Sequence, residues 1–162
     1  INKITHNQDT EKIMKLKLLL VPTIASLLSL TAQADEAAGK MAYMTCSACH
    51  NADGQGLPLG DKKMAPSLVG SKIVNGDPSV LALVILKGIK KEGAEYLGMM
   101  AALELAYPDD QKLADVMTFV RQSFGNTAAA VTVEDAAKYR AQWQDVKEPV
   151  SRAKLAELMT AE

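Results

Sequence analysis

Apolar positions along this chain fall into three patterns. The first is a nearly unbroken run from Leu18 to Leu30, entered through Lys15 and Lys17 and left through the small residues Ala32 and Ala34. Starting at Met14, it reads as a secretory leader cleaved after Ala34. The run is too short to span a bilayer comfortably, contains Pro22, and ends on an A-Q-A site. Residues 1–13 precede that start and are expected to have no role. No Cys stands near the cleavage point to carry a lipid.

The second pattern has the period of a helix. Asp35 is placed to cap a helix running through Ala37, Ala38, Met41 and Ala42. Gly39 in its interior costs about 1 kcal/mol relative to Ala unless another backbone approaches closely there. Asp77-Pro78 opens a helix whose stripe is Val80, Leu81, Val84 and Ile85 and whose C-cap is Gly88. Asp109 opens the clearest one, with Leu113, Val116, Met117, Val120 and Phe124 on one face and a stop at Gly125-Asn126. Beyond it Thr132 and Ser151 cap two short helices separated at Pro149, and Trp143 reads as a packing residue that clamps this tail to the domain.

The third pattern is rich in Gly, Pro and polar residues and has no period. It covers Asn51 to Asn75 and Lys90 to Pro108, both expected to be loops with at most short turns. Loops this long in a small domain are usually functional or wrapped around something. No alternating strand pattern competes, so the predicted fold class is all-α.

Length and composition sharpen this picture at one point. The chain has 162 residues, enough for one main domain plus appendages, and its 48% hydrophobic and 23% charged residues are ordinary for a folded protein. Only 4% are aromatic. The core must therefore be aliphatic, or be completed by a large apolar cofactor. Without the leader, 14 basic residues face 17 acidic ones, a formal charge of −3. That leaves no basic patch for nucleic acid and no polybasic segment for an anionic membrane.

The candidate chemistry is crowded into Cys46-Ser47-Ala48-Cys49-His50, which holds both cysteines and one of the two histidines. A tetrahedral zinc site needs four ligands, and the exported chain offers three, two of them adjacent. A thioredoxin-like pair needs a strand-to-helix junction, and none is visible; a thiol-disulfide protein remains an alternative. A structural disulfide would leave His50 and both long loops without a reason. C-x-x-C-H accounts for every residue: two thiols add to the vinyl groups of one haem, and the histidine that follows reaches its iron. Attachment of this kind occurs outside the cytoplasm, in agreement with the leader.

With those residues in view, the chain resembles the small monohaem class I cytochromes c over about Asp35 to Asn126. The likeness lies in the Gly39 helix leading into CSACHNADGQG, in APSLVG (Ala65 to Gly70), in YLGMMAAL (Tyr96 to Leu103), and in DDQKLADVMTFVRQSFGN. It implies a small fold of three to four core helices around one covalent haem c. It also implies that the Gly39 helix crosses the C-terminal helix at close range, with Tyr43 and Phe119 near the contact. By the same resemblance Cys46 and Cys49 form the thioethers, His50 is an axial iron ligand, and the Pro66 carbonyl accepts from the free imidazole N–H. In the family it resembles, the second axial ligand is a thioether. Among seven methionines in the exported chain, Met41, Met44 and Met117 read as core filler, and Met64 and Met159 lie elsewhere. The loop alignment selects Met100, with Met99 as runner-up. Ala101 stands where the family usually has Pro, which implies a looser loop. Arg121 reads as solvated or beside a propionate.

The expected function is a periplasmic carrier of single electrons with His/Met-ligated haem. It has no catalytic residues, works with a redox donor and acceptor such as a dehydrogenase, oxidase or reductase, and is a monomer or forms transient complexes. No nucleic acid and no stable membrane insertion are expected. The stretch from Leu68 to the end, with VTVEDAAKYRA after the last core helix, resembles cytochrome domains associated with quinoprotein dehydrogenases, so a dedicated haem subunit of a separate dehydrogenase is the alternative. The expected organisation is 1–34 upstream residues and leader (Met14 to Ala34), 35–126 cytochrome domain, and 127–162 helical extension.

Overall fold

Asp35 starts the first helix, α1 (Glu36–His50), by accepting the N–H groups of Ala37 and Ala38 at 2.8 and 3.1 Å. The computed structural model describes residues 34–93 and 95–160, all within the unit Thr31–Glu162. Apart from Ala34, the leader Met14 to Ala34 lies outside the described residues. No helix among those described is long and apolar enough to cross a membrane.

The order after α1 is a two-residue hairpin, β1 (Pro58–Leu59) and β2 (Lys62–Lys63), then α2 (Lys72–Asn75), α3 (Pro78–Lys87), α4 (Asp110–Gln122), α5 (Val133–Gln142) and α6 (Arg152–Leu158). The all-α expectation holds, with six helices among the described residues. Within the stretch read as loop from Asn51 to Asn75 the structure has the hairpin, in the register Pro58↔Lys63 and Leu59↔Lys62, and the single turn of α2. Both are too short to leave a periodic trace in sequence. Each of the five caps read from sequence, Asp35, Asp77, Asp109, Thr132 and Ser151, accepts a backbone N–H of its own first turn.

α1 packs chiefly on α4. Gly39 makes this contact, because a Cβ there would lie 2.8 Å from the Cβ of Phe119. Tyr43, Phe119 and Phe124 form a ring cluster beside it, with centroids 5.1 to 5.7 Å apart. Phe124 corrects the sequence reading. α4 ends at Gln122, and Phe124 sits beyond the Ser123 cap at φ 60°, turned back toward Tyr43 instead of continuing the helix.

Two apolar clusters result. The larger joins α1, α3 and α4 and takes in Val131 and Ala136 from the tail. The smaller sets Val80, Leu83 and Val84 of α3 against Val150 and Leu155, with Trp143 packed on it. α3 is thus buried from Ser79 to Lys87 on all sides. Trp143 clamps the tail as expected, its Nε1–H donating to Ser79 O at 2.8 Å. Two of the methionines read as core filler are not in the core: Met41 and Met44 are 73% and 71% exposed, and only Met117 is buried. They stand on α1 away from the stripe that faces α4.

Arg121 is also corrected. It is buried and donates from Nη1 to Val74 O and Gly76 O at 2.8 and 2.9 Å, and from Nε to Ala129 O at 2.8 Å. A guanidinium that serves three carbonyls, at the end of α2 and in the tail, is a brace of the fold, and burial lowers its pKa.

Candidate haem site

The last turn of α1 carries the cluster, so Cys46 and Cys49, three residues apart, share one side of the helix end. Both are free thiols, Cys46 buried and Cys49 partly so. Cys46 Sγ lies 3.3 Å from the hydroxyl of Tyr107, which donates to Ala42 O at 3.0 Å. Burial pushes the Cys46 thiol pKa up, and the Tyr107 contact works against that shift. Tyr107 was not singled out in the sequence; its signal is its place just before the Pro108-Asp109 helix start.

His50 ends α1 and is buried. Its Nδ1 stands 3.0 Å from Pro66 O. A carbonyl can only accept, so Nδ1 carries the proton and Nε2 keeps a free lone pair. Burial lowers the His50 pKa, and the Pro66 bond partly restores it. The imidazole is therefore neutral, oriented and suited to ligate a metal.

Two adjoining cavities, of about 330 and 250 Å³, open beside these residues. Cys46, His50, Pro66, Ile89 and Met100 border both. Leu68, Ile73, Val74, Val84, Ile85, Val116 and Val120 give the first an aliphatic wall, whereas Cys49, Leu97, Met99 and Leu103 line the second. A divided apolar slot of this size, with two free thiols and a neutral imidazole at one edge, fits a flat apolar macrocycle attached through sulfur. A larger hollow of about 630 Å³ lies along the hairpin, lined by Asp61, Lys62, Lys63, Glu95 and Tyr96. Its charged lining and its lack of any cluster residue make it a poor match for such a group.

Among the described residues, four methionines reach the slot. Met64 and Met99 border the smaller cavity and Met159 the larger; Met100 borders both. Met99 is 49% exposed, whereas Met100 is half-buried and packed against the smaller apolar cluster. The approach of Met159 was not legible in sequence, because it depends on the tail folding back over α3.

Asn126, read only as a helix stop, holds the wall behind Pro66. Its Nδ2 donates to Leu68 O and Val120 O at 3.1 and 2.9 Å, and its Oδ1 accepts from Gly70 N–H and Asn75 Nδ2 at 2.9 and 3.0 Å.

Comparison with known proteins agrees with this site. Residues 36–124 match the family model for cytochrome c. The chain is similar to cytochrome c-552 of Thermus thermophilus, 29% identical over 120 residues that cover 68% of this chain and 78% of that one. It is 34% identical over 114 residues to the gluconate 2-dehydrogenase cytochrome c subunit of Pantoea cypripedii, covering 65% of this chain and 24% of the relative. It is also 34% identical over 112 residues to the cytochrome c subunit of alcohol dehydrogenase (quinone) of Gluconobacter oxydans, covering 64% and 22%. The chain thus spans about a quarter of the length of these two subunits. With more than half of its residues inside the family match, the chain belongs to the cytochrome c family, whose domains hold haem c covalently and transfer electrons.

Proposed function

We propose that the protein is a periplasmic carrier of single electrons, with its haem attached through Cys46 and Cys49 and its iron ligated by His50 and Met100. The observation that carries this reading is that the end of α1 and Met100 border the same two cavities. When bound, haem supplies a one-electron couple, which His/Met ligation tunes toward higher potential. Pro66 fixes the His50 ring with Nε2 free. The aliphatic wall from α3 and α4 excludes water. Met100 presents a soft thioether from the opposite loop. In this reading the leader Met14 to Ala34 is removed on export, leaving the cytochrome domain 35–126 and the helical extension 127–162.

A pyridine haemochrome assay on the exported protein tests the attachment, and absorption spectra test the ligands. Expected are sharp visible bands in the reduced state and a weak thioether-to-ferric band in the oxidised state, lost in Met100→Ala and kept in Met99→Ala. A high-spin spectrum without that band in the unmodified protein would sink the His/Met assignment. Absence of haem together with a titratable dithiol would restore the thiol-disulfide alternative.

A second reading, a dedicated haem subunit that accepts electrons from a separate quinoprotein-type dehydrogenase, is favoured by the likeness to the gluconate and alcohol dehydrogenase subunits. Co-purification of a dehydrogenase with the tagged chain from its own cells supports it, and isolation as a lone monomer favours the general carrier.

A further inference from the structure

Ile89 is paired on both of its edges. Toward the loop it exchanges two backbone bonds with Met100, its N–H donating to Met100 O at 2.9 Å and its carbonyl accepting from Met100 N–H at 3.1 Å. On the other edge Lys90 N–H donates to Val150 O at 2.9 Å, and Val150 N–H donates to Gly88 O at 3.0 Å. The C-terminal extension thus supplies the third segment of a small ladder whose far edge is Met100.

That third segment is firmly held. Leu155, 3% exposed, is buried among Val80, Leu83 and Val84 of α3. Arg152 N–H donates to a Glu92 carboxylate oxygen at 2.9 Å, and Glu92 N–H donates within the loop to Gly98 O at 2.9 Å. Arg152 and Met159 themselves border the slot, one on each cavity. Gly88 closes the contact, because a Cβ there would strike Met100 O and stand 2.7 Å from Ala102 N. A two-segment pairing is marginal in water, and a third segment with apolar cover is what gives it lasting order.

We propose that residues 149–159 position the Met100 loop: they hold Ile89 in the register at which Met100 pairs with it, and so set how readily the Met100 thioether leaves the iron. The proposal rests on the reading of Met100 as an iron ligand. Val150 and Leu155 border neither cavity, so they act through Ile89.

The test uses the full haem-loaded chain in the ferric state, with imidazole as an external ligand competing for the Met100 position, and amide exchange at Ile89 and Met100 as a second readout. Val150→Pro removes the N–H that bonds Gly88 O. It should raise the imidazole binding rate roughly tenfold, about what the loss of one backbone bond's worth of local stability gives, and speed exchange at both amides. Leu155→Ala, a milder loosening of the same segment, should move both readouts in the same direction. Val131→Ala, buried in the larger cluster and bordering neither cavity, should lower the thermal midpoint and leave both readouts within twofold of the parent. Parent-like imidazole rates and exchange in both segment variants, with the thioether band lost in Met100→Ala, would overturn the positioning role alone. A band that survives Met100→Ala would overturn the ligand reading beneath it.

Discussion

A Cβ built on Gly39 would stand 2.5 Å from the carbonyl oxygen of Asp115, so α1 and α4 cross at backbone contact. The crossing also fixes the direction in which the end of α1 delivers Cys46, Cys49 and His50. Gly39→Ala gains up to about 1 kcal/mol of helix propensity, and overpacking at such a contact costs roughly 1–3 kcal/mol or more. The contact is backbone to backbone and cannot yield by turning a side chain, so a net loss of about 2 kcal/mol is expected in denaturant unfolding. An Ala variant as stable as the parent would show that the two helices can separate freely.

Asn126 joins the end of α4 to the wall behind Pro66 through both ends of its amide. Asn126→Ala strands the Val120 carbonyl and the Gly70 N–H and leaves Leu68 O with only the Ser71 N–H, for an expected cost of about 3 kcal/mol. Asn126→Asp keeps an acceptor for Gly70 N–H but turns a buried carboxylate oxygen toward the Leu68 and Val120 carbonyls, so it should be at least as destabilising as Ala. An Asp variant with the parent's unfolding midpoint would show that the donor side does not matter.

Tyr43 is 4% exposed and donates from its hydroxyl to Asn51 O at 2.7 Å. Burial first, then the nearby charges of Cys46 and Asp53, push its pKa well above the ordinary value near 10. Above pH 10 the unfolded chain releases this proton while the folded chain keeps it. Folded protein then binds more protons, and stability falls as pH rises, by up to about 1.4 kcal/mol per pH unit for this group. Below pH 10 the group adds no pH dependence. Unfolding curves between pH 10 and 12 should decline less steeply for Tyr43→Phe than for the parent, and parallel declines would exclude Tyr43 as a source.

What the sequence made legible was local. A cap is a statement about four residues, so Asp35, Asp77, Asp109, Thr132 and Ser151 could be read directly. CSACH needed only the geometry of one helix end. Gly39 was legible because a glycine inside a helix asks for a reason. The remainder depends on groups far apart in the chain. Arg121 looks like any charge near a helix end, and only the fold brings Val74, Gly76 and Ala129 carbonyls to it. Asn126 carries no signal of its four partners. Phe124 keeps the helical period of α4 and still leaves the helix, because ring packing on Tyr43 outweighs one more turn. The ladder through Val150 was hidden for the same reason: Ile89 and Val150 are connected only once the tail turns back along α3.

Trp143 is the only tryptophan in the chain, and it sits where the tail meets α3, bonded to Ser79 and packed on the apolar cluster that includes Val84, a residue of the slot wall. Its emission is therefore an optical gauge already built into the protein. When bound, a haem in the slot would quench the emission of the seated indole. A substitution that loosens the extension would lengthen that path and raise the emission, so seating of the tail can be followed without attaching a dye.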